Sequence, residues 1–290
     1  MPELPEVETI RRGLEKYLVG HKIVDLKVKS PKIFDGKKGD IVGSKVEKIR
    51  RFAKVLSIDL SGGNSIVIHV KLTGQLIYRG PKLTDAPQLS KKVVGGIPGP
   101  HTHLIFKLDK GGFLYYNDVR KFGWVKIVKT AQVETSGFVA KLGPEPQVTK
   151  SSPGQAVLTL KLFKEILSKT TRPIKVVLMD QEKIGGIGNI YANDALFLAK
   201  INPKKESRKL GKEEIENLYK AIHKVLKNGL RYAGASELSY VTARGEEGEY
   251  QNHFLAYGRD GELCKRCHQA KLVKFRLGGR GTYFCPACQR

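Results

Sequence analysis

The stretch Pro5-Glu-Val-Glu-Thr-Ile-Arg-Arg-Gly-Leu-Glu-Lys-Tyr-Leu18 carries apolar residues three and four positions apart. That spacing is typical of one buried face of a helix, and proline suits a first helical turn. The apolar face consists of Val7, Ile10, Leu14 and Leu18. From Ile23 onward the pattern is mostly that of strands, so the sequence predicts an α+β fold that begins with a helix.

Two runs show the strand pattern most clearly. Ser65-Ile-Val-Ile-His-Val-Lys-Leu72 and His103-Leu-Ile-Phe-Lys-Leu108 are rich in β-branched and aromatic residues and alternate in part. Gly111-Gly112 separates the second run from Phe113-Leu-Tyr-Tyr116, which predicts a β-hairpin. We expect the N-terminal helix to pack on a β-sandwich, and segment 79–100, rich in Gly, Pro and Lys, to be an exposed loop.

The apolar period becomes helical after a stretch typical of a linker, Gly143-Pro-Glu-Pro146 through Ser151-Ser-Pro-Gly154. Helices are predicted over 158–167, 174–179, 190–198 and 213–230. The predicted order is a catalytic β-sandwich domain over 1–130, a linker over 131–154, a helical domain over 155–256 and a cysteine-containing module over 257–290.

The chain is strongly basic. It has 52 Lys and Arg against 28 Asp and Glu, a formal net charge of +24. Such an excess favours a polyanionic partner, with nucleic acid ahead of an anionic membrane surface or an acidic protein. The sequence has neither a secretory signal nor a run of about 20 apolar residues, so we expect a cytoplasmic protein without a membrane span. No pattern in the sequence indicates an oligomer, so we also expect a monomer.

All four cysteines lie near the C-terminus, as Cys264-Lys-Arg-Cys267 and Cys285-Pro-Ala-Cys288. Two such pairs, 17 residues apart, have the spacing of a tetrahedral zinc site. Two disulfides are the alternative, which a reducing compartment disfavours, and an iron–sulfur cluster is a further one. Four protein ligands leave no open position, so one structural Zn²⁺ is predicted.

The cysteine module is itself basic and contains Gly278-Gly-Arg-Gly-Thr282. Zinc would hold this module as a rigid hairpin, with Arg280 at the tip, where it could bind a phosphate. A solvated turn arginine is the alternative.

The N-terminus offers a nucleophile. Met1 precedes Pro2, a small residue, so we expect removal of the methionine and a free secondary amine. An α-amino group titrates near pH 8, so part of it is neutral and nucleophilic at physiological pH. Attack on the anomeric carbon of a deoxyribose would give an iminium, which acidifies the C2′ hydrogen and permits elimination of the 3′-phosphate. Glu3 and Glu6 follow as proton-transfer candidates, or simply as acidic first-turn residues.

Six segments, in the same order, resemble the formamidopyrimidine-DNA glycosylase family. They are Met1–Thr9 with Arg11-Arg12-Gly13, Arg51-Phe-Ala-Lys54, Asp118-Val-Arg-Lys-Phe-Gly123, Leu142-Gly-Pro-Glu-Pro146, Gly186-Ile-Gly-Asn-Ile-Tyr-Ala192, and Tyr257-Gly-Arg259 with the four cysteines. The resemblance implies a helix–two-turn–helix in the helical domain and a mobile base-recognition loop over 233–252.

The resemblance also implies catalytic roles. Pro2 would be the nucleophile and Glu3 the acid that helps to open the deoxyribose ring. Lys54 would lie near the phosphate of the damaged nucleotide, with a solvated lysine as the alternative, and Glu6 is a weaker catalytic candidate.

The implied DNA contacts fall into two sets. A trio would fill the space left by an extruded nucleotide: Leu72 as a wedge, Arg120 as a base-edge donor and Phe122 as a stacking ring. The expected phosphate contacts are His69, Lys71, Asn189 and Arg280. Leu72 and Phe122 could instead belong to the core, and Asn189 could cap a helix.

The resemblance thus implies base-excision repair of damaged double-stranded DNA at the nucleoid, by removal of oxidised purines and strand cleavage through β/δ-elimination. One alternative is an endonuclease VIII-like glycosylase for oxidised pyrimidines. The other is a non-catalytic protein that binds damaged DNA and has kept only the scaffold and the finger.

Overall fold

The computed structural model describes residues 1–85, 87–148 and 156–290. They form two compact units, one of Met1–Ala140 with Gly229–Gln251 and the other of Lys141–Asn228 with Asn252–Arg290. Residues 149–154 of the predicted linker lie outside the described residues.

The first unit contains one helix and nine strands within its described residues. They are α1 Leu4–Leu18, β1 Ile23–Val28, β2 Phe34–Asp35, β3 Val46–Phe52, β4 Val55–Leu60, β5 Asn64–His69, β6 Gly74–Arg79, β7 Thr102–Leu108, β8 Phe113–Asp118 and β9 Trp124–Lys129. The strands form a four-stranded sheet, β1-β7-β8-β6, and a five-stranded sheet, β2-β9-β5-β4-β3. Pairing is antiparallel except between β2 and β9.

A single apolar cluster joins α1 to both sheets, as the predicted helix on a β-sandwich requires. The helix contributes Val7, Ile10 and Leu14, the four-stranded sheet Phe106, and the five-stranded sheet Ile68, among others. All five are at most 1% exposed, so the apolar face predicted from the spacing in α1 is the face that the core buries.

The predicted hairpin is confirmed: β7 and β8 pair antiparallel with Ile105 opposite Tyr115. Its turn uses left-handed backbone at Lys110 (φ 59°) and Gly111 (φ 81°). The loop predicted over 79–100 begins one residue later, because Arg79 ends β6, and the described residues 80–85 and 87–100 contain no helix or strand.

The strand predicted over 65–72 is too long at its C-terminal end. It ends at His69, and Val70 to Gly74 form a turn closed by a hydrogen bond from the Gly74 N–H to the Val70 carbonyl, 2.9 Å. Lys71 has φ 49°, which breaks the extended conformation. Leu72 therefore leaves the face shared by Ile66, Ile68 and Val70, and the alternative that it ends this core stripe is wrong.

The second unit is helical and ends in a small hairpin. Its elements are α2 Leu160–Ser168, α3 Ile174–Leu178, α4 Asn189–Leu198, α5 Lys212–Arg231, β10 Val273–Leu277 and β11 Arg280–Phe284, with the last turn of α5 reaching into the segment that begins at Gly229. All four predicted helices are present, with ends shifted by two residues at most. No helix in the described ranges combines the length and apolar character that a membrane crossing requires.

We predict that Leu14→Ala lowers the free energy of unfolding by about 2–5 kcal/mol, because it leaves a cavity in the core that joins α1 to the sheets. The side chain of Leu14 is fully buried there. Chemical denaturation measures the change. The matched control is Val24→Ala, since Val24 is 42% exposed and its truncation removes little buried surface. An equal, small effect of both substitutions would contradict the prediction.

Candidate active site, nucleic-acid surface and metal centre

The N-terminal amino group lies in a partly buried, charged environment at the start of α1. Met1 is 42% exposed, whereas Pro2 and Glu3 are buried. Burial lowers the pKa of the amino group of Met1, and the charge of Lys54 lowers it further. The carboxylates of Glu3, Glu6 and Glu237 act in the opposite direction. The net effect is a pKa of the Met1 amino group below its ordinary value, with burial as the largest cause.

Glu6 uses both carboxylate oxygens to hold backbone. Its Oε2 accepts a hydrogen bond from the Glu3 N–H, 2.8 Å, and its Oε1 accepts one from the Ala235 N–H, 2.8 Å. Glu6 is only 1% exposed. It therefore ties the start of α1 to the segment that the sequence assigned to base recognition.

Gly234 permits this close approach. Its φ is +84°, and a Cβ at this position would lie 2.8 Å from Glu6 Cγ and 3.0 Å from the ring of Tyr240. Any larger residue would be strained in its backbone and would push Glu6 away.

Lys54 is 4% exposed and, with Ala53, forms the tight turn between β3 and β4. Ala53, at that turn, has φ 50°, and its carbonyl accepts a hydrogen bond from Arg51 Nη1, 3.1 Å. Arg51 is itself buried and donates through Nε to Glu8 Oε2, 2.9 Å. The turn that presents Lys54 is thus anchored to α1.

Glu8 is a buried anion surrounded by arginines. Burial by itself would raise its pKa, but the hydrogen bond from Arg11 and the charge of Arg51 outweigh this and lower it. Arg12 Nε completes the group at 2.9 Å from Glu8 Oε1. Apart from the residue types, no pattern in the sequence indicates this ion-pair cluster.

His69 is a neutral group in a cationic neighbourhood. Burial, followed by the charges of Lys71 and Lys54, lowers its pKa to about 3. Its Nδ1 lies 3.0 Å from the Lys71 N–H and accepts that hydrogen bond, so the ring proton is on Nε2. The rings of Trp124 and Phe138 pack against the imidazole, at 5.9 and 5.4 Å between centroids. Any phosphate contact by His69 would be that of a neutral donor.

The three predicted DNA-inserting residues lie on two turns with their side chains at the surface. Leu72 is half-buried in the turn after β5, and Arg120 is exposed in the loop after β8. Phe122 is 55% exposed, and the Arg120 guanidinium lies 4.7 Å over its ring. The alternative that Phe122 is a core aromatic is wrong.

In the second unit, Asn189 is the first residue of α4, and the N-cap is Gly188 without a side-chain cap bond. The alternative that Asn189 caps this helix is therefore wrong. Its Oδ1 accepts a hydrogen bond from Asn193 Nδ2, 3.3 Å, and its side chain is half-buried. The side chain is at the N-terminal end of a ten-residue helix, where backbone N–H groups favour anions.

Arg280 is exposed at the hairpin of β10 and β11, opposite Leu277. The two-residue turn consists of Gly278 and Gly279, with φ of 56° and 73°. Positive φ at both central residues is the type I′ geometry, which glycine adopts without strain. Buried Lys175 donates a hydrogen bond through Nζ to the carbonyl of Gly281 at 2.8 Å, and this fixes β11 at the residue next to Arg280.

The four cysteine sulfurs cluster within 4.8 Å of one another. Cys264 Sγ lies 3.8 Å from Cys288 Sγ, and Cys267 Sγ lies 3.8 Å from Cys285 Sγ. A tetrahedron of thiolates about 2.3 Å from Zn²⁺ has edges of roughly 3.8 Å, so the donor set fits that ion. All four cysteines are free, and the disulfide alternative is wrong.

Comparisons with known proteins agree along the whole chain. Residues 1–125 match the family model of the formamidopyrimidine-DNA glycosylase N-terminal domain, and residues 142–240 match that of the formamidopyrimidine-DNA glycosylase H2TH domain. Formamidopyrimidine-DNA glycosylases of Desulfitobacterium hafniense and Streptococcus mutans are 39% and 36% identical, with all of each chain covered.

Solved structures agree as well. A complex of Lactococcus lactis Fpg with DNA containing an abasic site has a TM-score of 0.83 and 36% identity, covering 99% of both chains. A complex of the same organism's Fpg with DNA containing N7-benzyl-Fapy-dG has a TM-score of 0.83 and 35% identity, covering 100% of both.

Sequence reasoning missed Glu237, which acts on the N-terminal amino group from the segment 233–252. A single acidic residue in a polar stretch carries no signal of what it faces across more than 200 positions. It also missed Thr73, whose hydroxyl donates a hydrogen bond to the carboxylate of Asp118. Thr73 lies in the turn after β5, where the sequence predicted that the strand ends only at Leu72.

We predict that His69 makes stability depend on acidity. In the unfolded chain His69 binds a proton below its ordinary pKa of about 6.5. In the folded protein, where its pKa is about 3, it stays unprotonated at the same pH. The free energy of unfolding should therefore fall as pH falls through this window, by about 2 kcal/mol from this residue between pH 7 and pH 5. Denaturation of the protein and of His69→Gln at both pH values measures it. The difference between the two proteins should change with pH, and a constant difference would contradict the assignment.

Proposed function

The chain belongs to the formamidopyrimidine-DNA glycosylase family, and from that membership we propose that it excises oxidised purines, 8-oxoguanine and formamidopyrimidines, from duplex DNA and cleaves the strand at the resulting abasic site. The observation that carries the proposal is the geometry at the start of α1, where Pro2 and Glu3 are buried and Glu6 holds the Glu3 N–H and the Ala235 N–H, each at 2.8 Å.

The nucleophile is the secondary amine of Pro2 after removal of Met1. Its lone pair forms a bond to C1′ of the damaged nucleotide, and the glycosidic bond breaks with its electron pair leaving on the base, which takes up a proton. Ring opening gives an iminium between Pro2 and C1′. Loss of the C2′ proton then expels the 3′-phosphate, and a second elimination expels the 5′-phosphate.

Glu3 is the acid that protonates the ring oxygen and returns the proton. It is 2% exposed and lies directly after Pro2, next to the amine that reacts. Glu6 differs, because both its oxygens hold backbone N–H groups. We assign Glu6 to positioning the amine and the 233–252 segment rather than to proton transfer. Lys54 contacts the phosphate of the damaged nucleotide.

Chemistry on the anomeric carbon requires the nucleotide to leave the stack, at a cost of a few kcal/mol. Leu72 fills the vacated space, while Arg120 and Phe122 contact the orphaned base and its neighbour. His69, Lys71, Asn189 and Arg280 bind phosphates, His69 as a neutral donor. A net charge of +24 attracts DNA from a distance, and binding should weaken steeply with salt.

The cysteine cluster holds one Zn²⁺ with a structural role. Its four thiolates complete the coordination shell, so no position is open for a substrate. The metal keeps the β10–β11 hairpin rigid and with it Arg280. The protein acts at the nucleoid as a monomer.

Another Lactococcus lactis Fpg complex contains DNA with an oxidised pyrimidine. Oxidised pyrimidines are therefore the second substrate class to test.

We predict a covalent adduct when the protein is treated with borohydride on a duplex carrying 8-oxoguanine opposite cytosine, because reduction traps the iminium at Pro2. Denaturing electrophoresis of labelled DNA detects it. Pro2→Gly, which replaces the secondary amine with a primary one, should give at most a tenth of the adduct. Mass spectrometry should show that the reactive protein lacks Met1.

The controls separate the alternatives. An adduct formed chiefly on a duplex with an oxidised pyrimidine would place the protein in the endonuclease VIII-like class. Tight binding to the damaged duplex with no adduct on either substrate would leave only a DNA-binding scaffold and overturn the enzymatic proposal.

We predict that native mass spectrometry finds one zinc per chain and that its removal weakens duplex binding at least tenfold, because the hairpin that carries Arg280 loses its support. Arg280→Ala is the matched variant: it should keep zinc and lose most of the same affinity. If the zinc-free protein bound duplex DNA as tightly as the loaded protein, the finger would not be a DNA clamp.

A further inference from the structure

Asp118, at the end of β8, is a fully buried carboxylate in the first unit. Its Oδ1 accepts hydrogen bonds from the Thr73 hydroxyl and from the Arg120 N–H, the latter at 3.2 Å. Its Oδ2 accepts one from the Gly123 N–H at 2.8 Å. The polar groups that face its carboxylate in the described part of the chain are thus the hydroxyls of Thr73 and Tyr116 and two backbone amides, all uncharged.

The Thr73 hydroxyl links two turns. It donates to Asp118 and at the same time accepts from the Arg120 N–H, 3.0 Å. Thr73 belongs to the turn after β5, which carries Leu72, and Arg120 belongs to the loop after β8. We call this arrangement of Thr73, Asp118, Arg120 N and Gly123 N the Asp118 staple.

The side chain of Tyr116 packs tightly against both turns that the Asp118 staple joins. Tyr116 is fully buried, and its hydroxyl lies against two glycines, one in each turn. A Cβ on Gly123 would overlap the Tyr116 oxygen, and a Cβ on Gly74 would lie 2.9 Å from it. Burial, together with the neighbouring carboxylate of Asp118, raises the pKa of Tyr116 above its ordinary value, so the phenol stays protonated.

The side chains that these turns carry contribute little to the core. Phe122 is 55% exposed, Arg120 is exposed and Leu72 is half-buried. A fully buried carboxylate without a cationic partner is costly to desolvate, and ordering exposed side chains returns little stability. An arrangement of this kind is typical of a site whose geometry must be set before the ligand arrives.

We propose that Asp118 and Thr73 are positioning residues for base extrusion, which together fix the wedge Leu72 to the orphan-base contacts Arg120 and Phe122. The proposal rests on the proposed function, because it takes the trio as the part that replaces the extruded nucleotide. The staple touches no reacting atom. It acts by holding two turns in one geometry, so that the loop carrying Arg120 and Phe122 moves with the turn carrying Leu72.

The test compares two substrates with different needs. One is a duplex with 8-oxoguanine opposite cytosine, which requires extrusion and filling of the gap. The other is a single strand with a natural abasic site, which has no partner base and no stack to open. Asp118→Asn and Thr73→Val should each lower single-turnover cleavage of the duplex at least tenfold and change cleavage of the single strand less than twofold.

Asp59→Asn is the matched control. Asp59 is another buried carboxylate of this sandwich, accepting from the hydroxyls of Ser57 and Ser65 at 2.8 and 2.7 Å, and it pairs with Arg50. It should leave the ratio of the two rates unchanged even where it lowers stability. All variants are assayed at a temperature at which circular dichroism shows them folded. If Asp118→Asn does not fold, Thr73→Val, which keeps the side-chain shape, carries the test.

A second readout does not depend on catalysis. A duplex with a tetrahydrofuran abasic analogue and 2-aminopurine opposite it reports unstacking by fluorescence when protein binds. Both staple variants should lose at least half of the wild-type fluorescence change at saturation. Equal losses on both cleavage substrates, unchanged rates on both, or an unaltered fluorescence change would overturn the proposal. If the wild type cleaves neither substrate, the proposed function fails, and the fluorescence change alone decides on the staple.

Discussion

A buried ion pair between Glu8 and Arg51 fixes the first helix against the third strand, and the geometry of the candidate active site depends on it. The two groups are 2.9 Å apart and each is 2% exposed. Burying such a pair adds little net stability, but separating the partners leaves an uncompensated charge in the core. The pair therefore specifies one position of α1 more than it strengthens the fold. Because Arg51 also holds the Ala53 carbonyl, the amino group at the helix start and Lys54 are set by the same interaction.

Charge has two different effects in this protein: the net positive charge attracts DNA from a distance, and single lysines in the first unit change the protonation of buried groups near them. A net charge of +24 suits binding to a polyanion, yet an amine nucleophile must be neutral and must remain so beside DNA. Burial, and after it the charge of Lys54, lower the pKa of the Met1 amino group at the start of α1. The same two influences, with Lys71, keep His69 neutral. The positive charge that attracts DNA thus also prevents the protonation of groups buried next to it.

What the sequence could reveal depended on the range of the interaction. Apolar spacing within α1 and the four cysteines are local patterns, and both were confirmed as a buried helix face and a four-sulfur cluster. The end of β5 was wrong because a left-handed Lys71 and a Gly74 turn override a continuing β pattern. The cap at Asn189 was wrong because the helix begins one residue earlier than an Asn cap requires.

Other features could not be read from the sequence at all, since they join distant segments. Ala235 and Glu237 reach the N-terminal region from a stretch that the contacts assign to the first unit. From composition, the stretch 233–252 could be placed after a helix, but composition could not show that most of it belongs to the same compact unit as the N-terminal residues. Residue types at single positions identify candidates for chemistry, whereas the partners that set their geometry are fixed by the fold.

The staple shows why exposed functional side chains need buried polar support. In the proposed function Leu72, Arg120 and Phe122 enter DNA, and side chains with that role cannot be fixed by packing in the hydrophobic core. Their positions must then be set through the backbone. The available backbone donors are amides in short turns, and a carboxylate can bind several of them at once, which an apolar residue cannot. Burying the carboxylate of Asp118 costs desolvation free energy. In return, the backbone of both turns is held so that the apolar side chain of Leu72 and the ring of Phe122 stay at the surface and do not pack into the core.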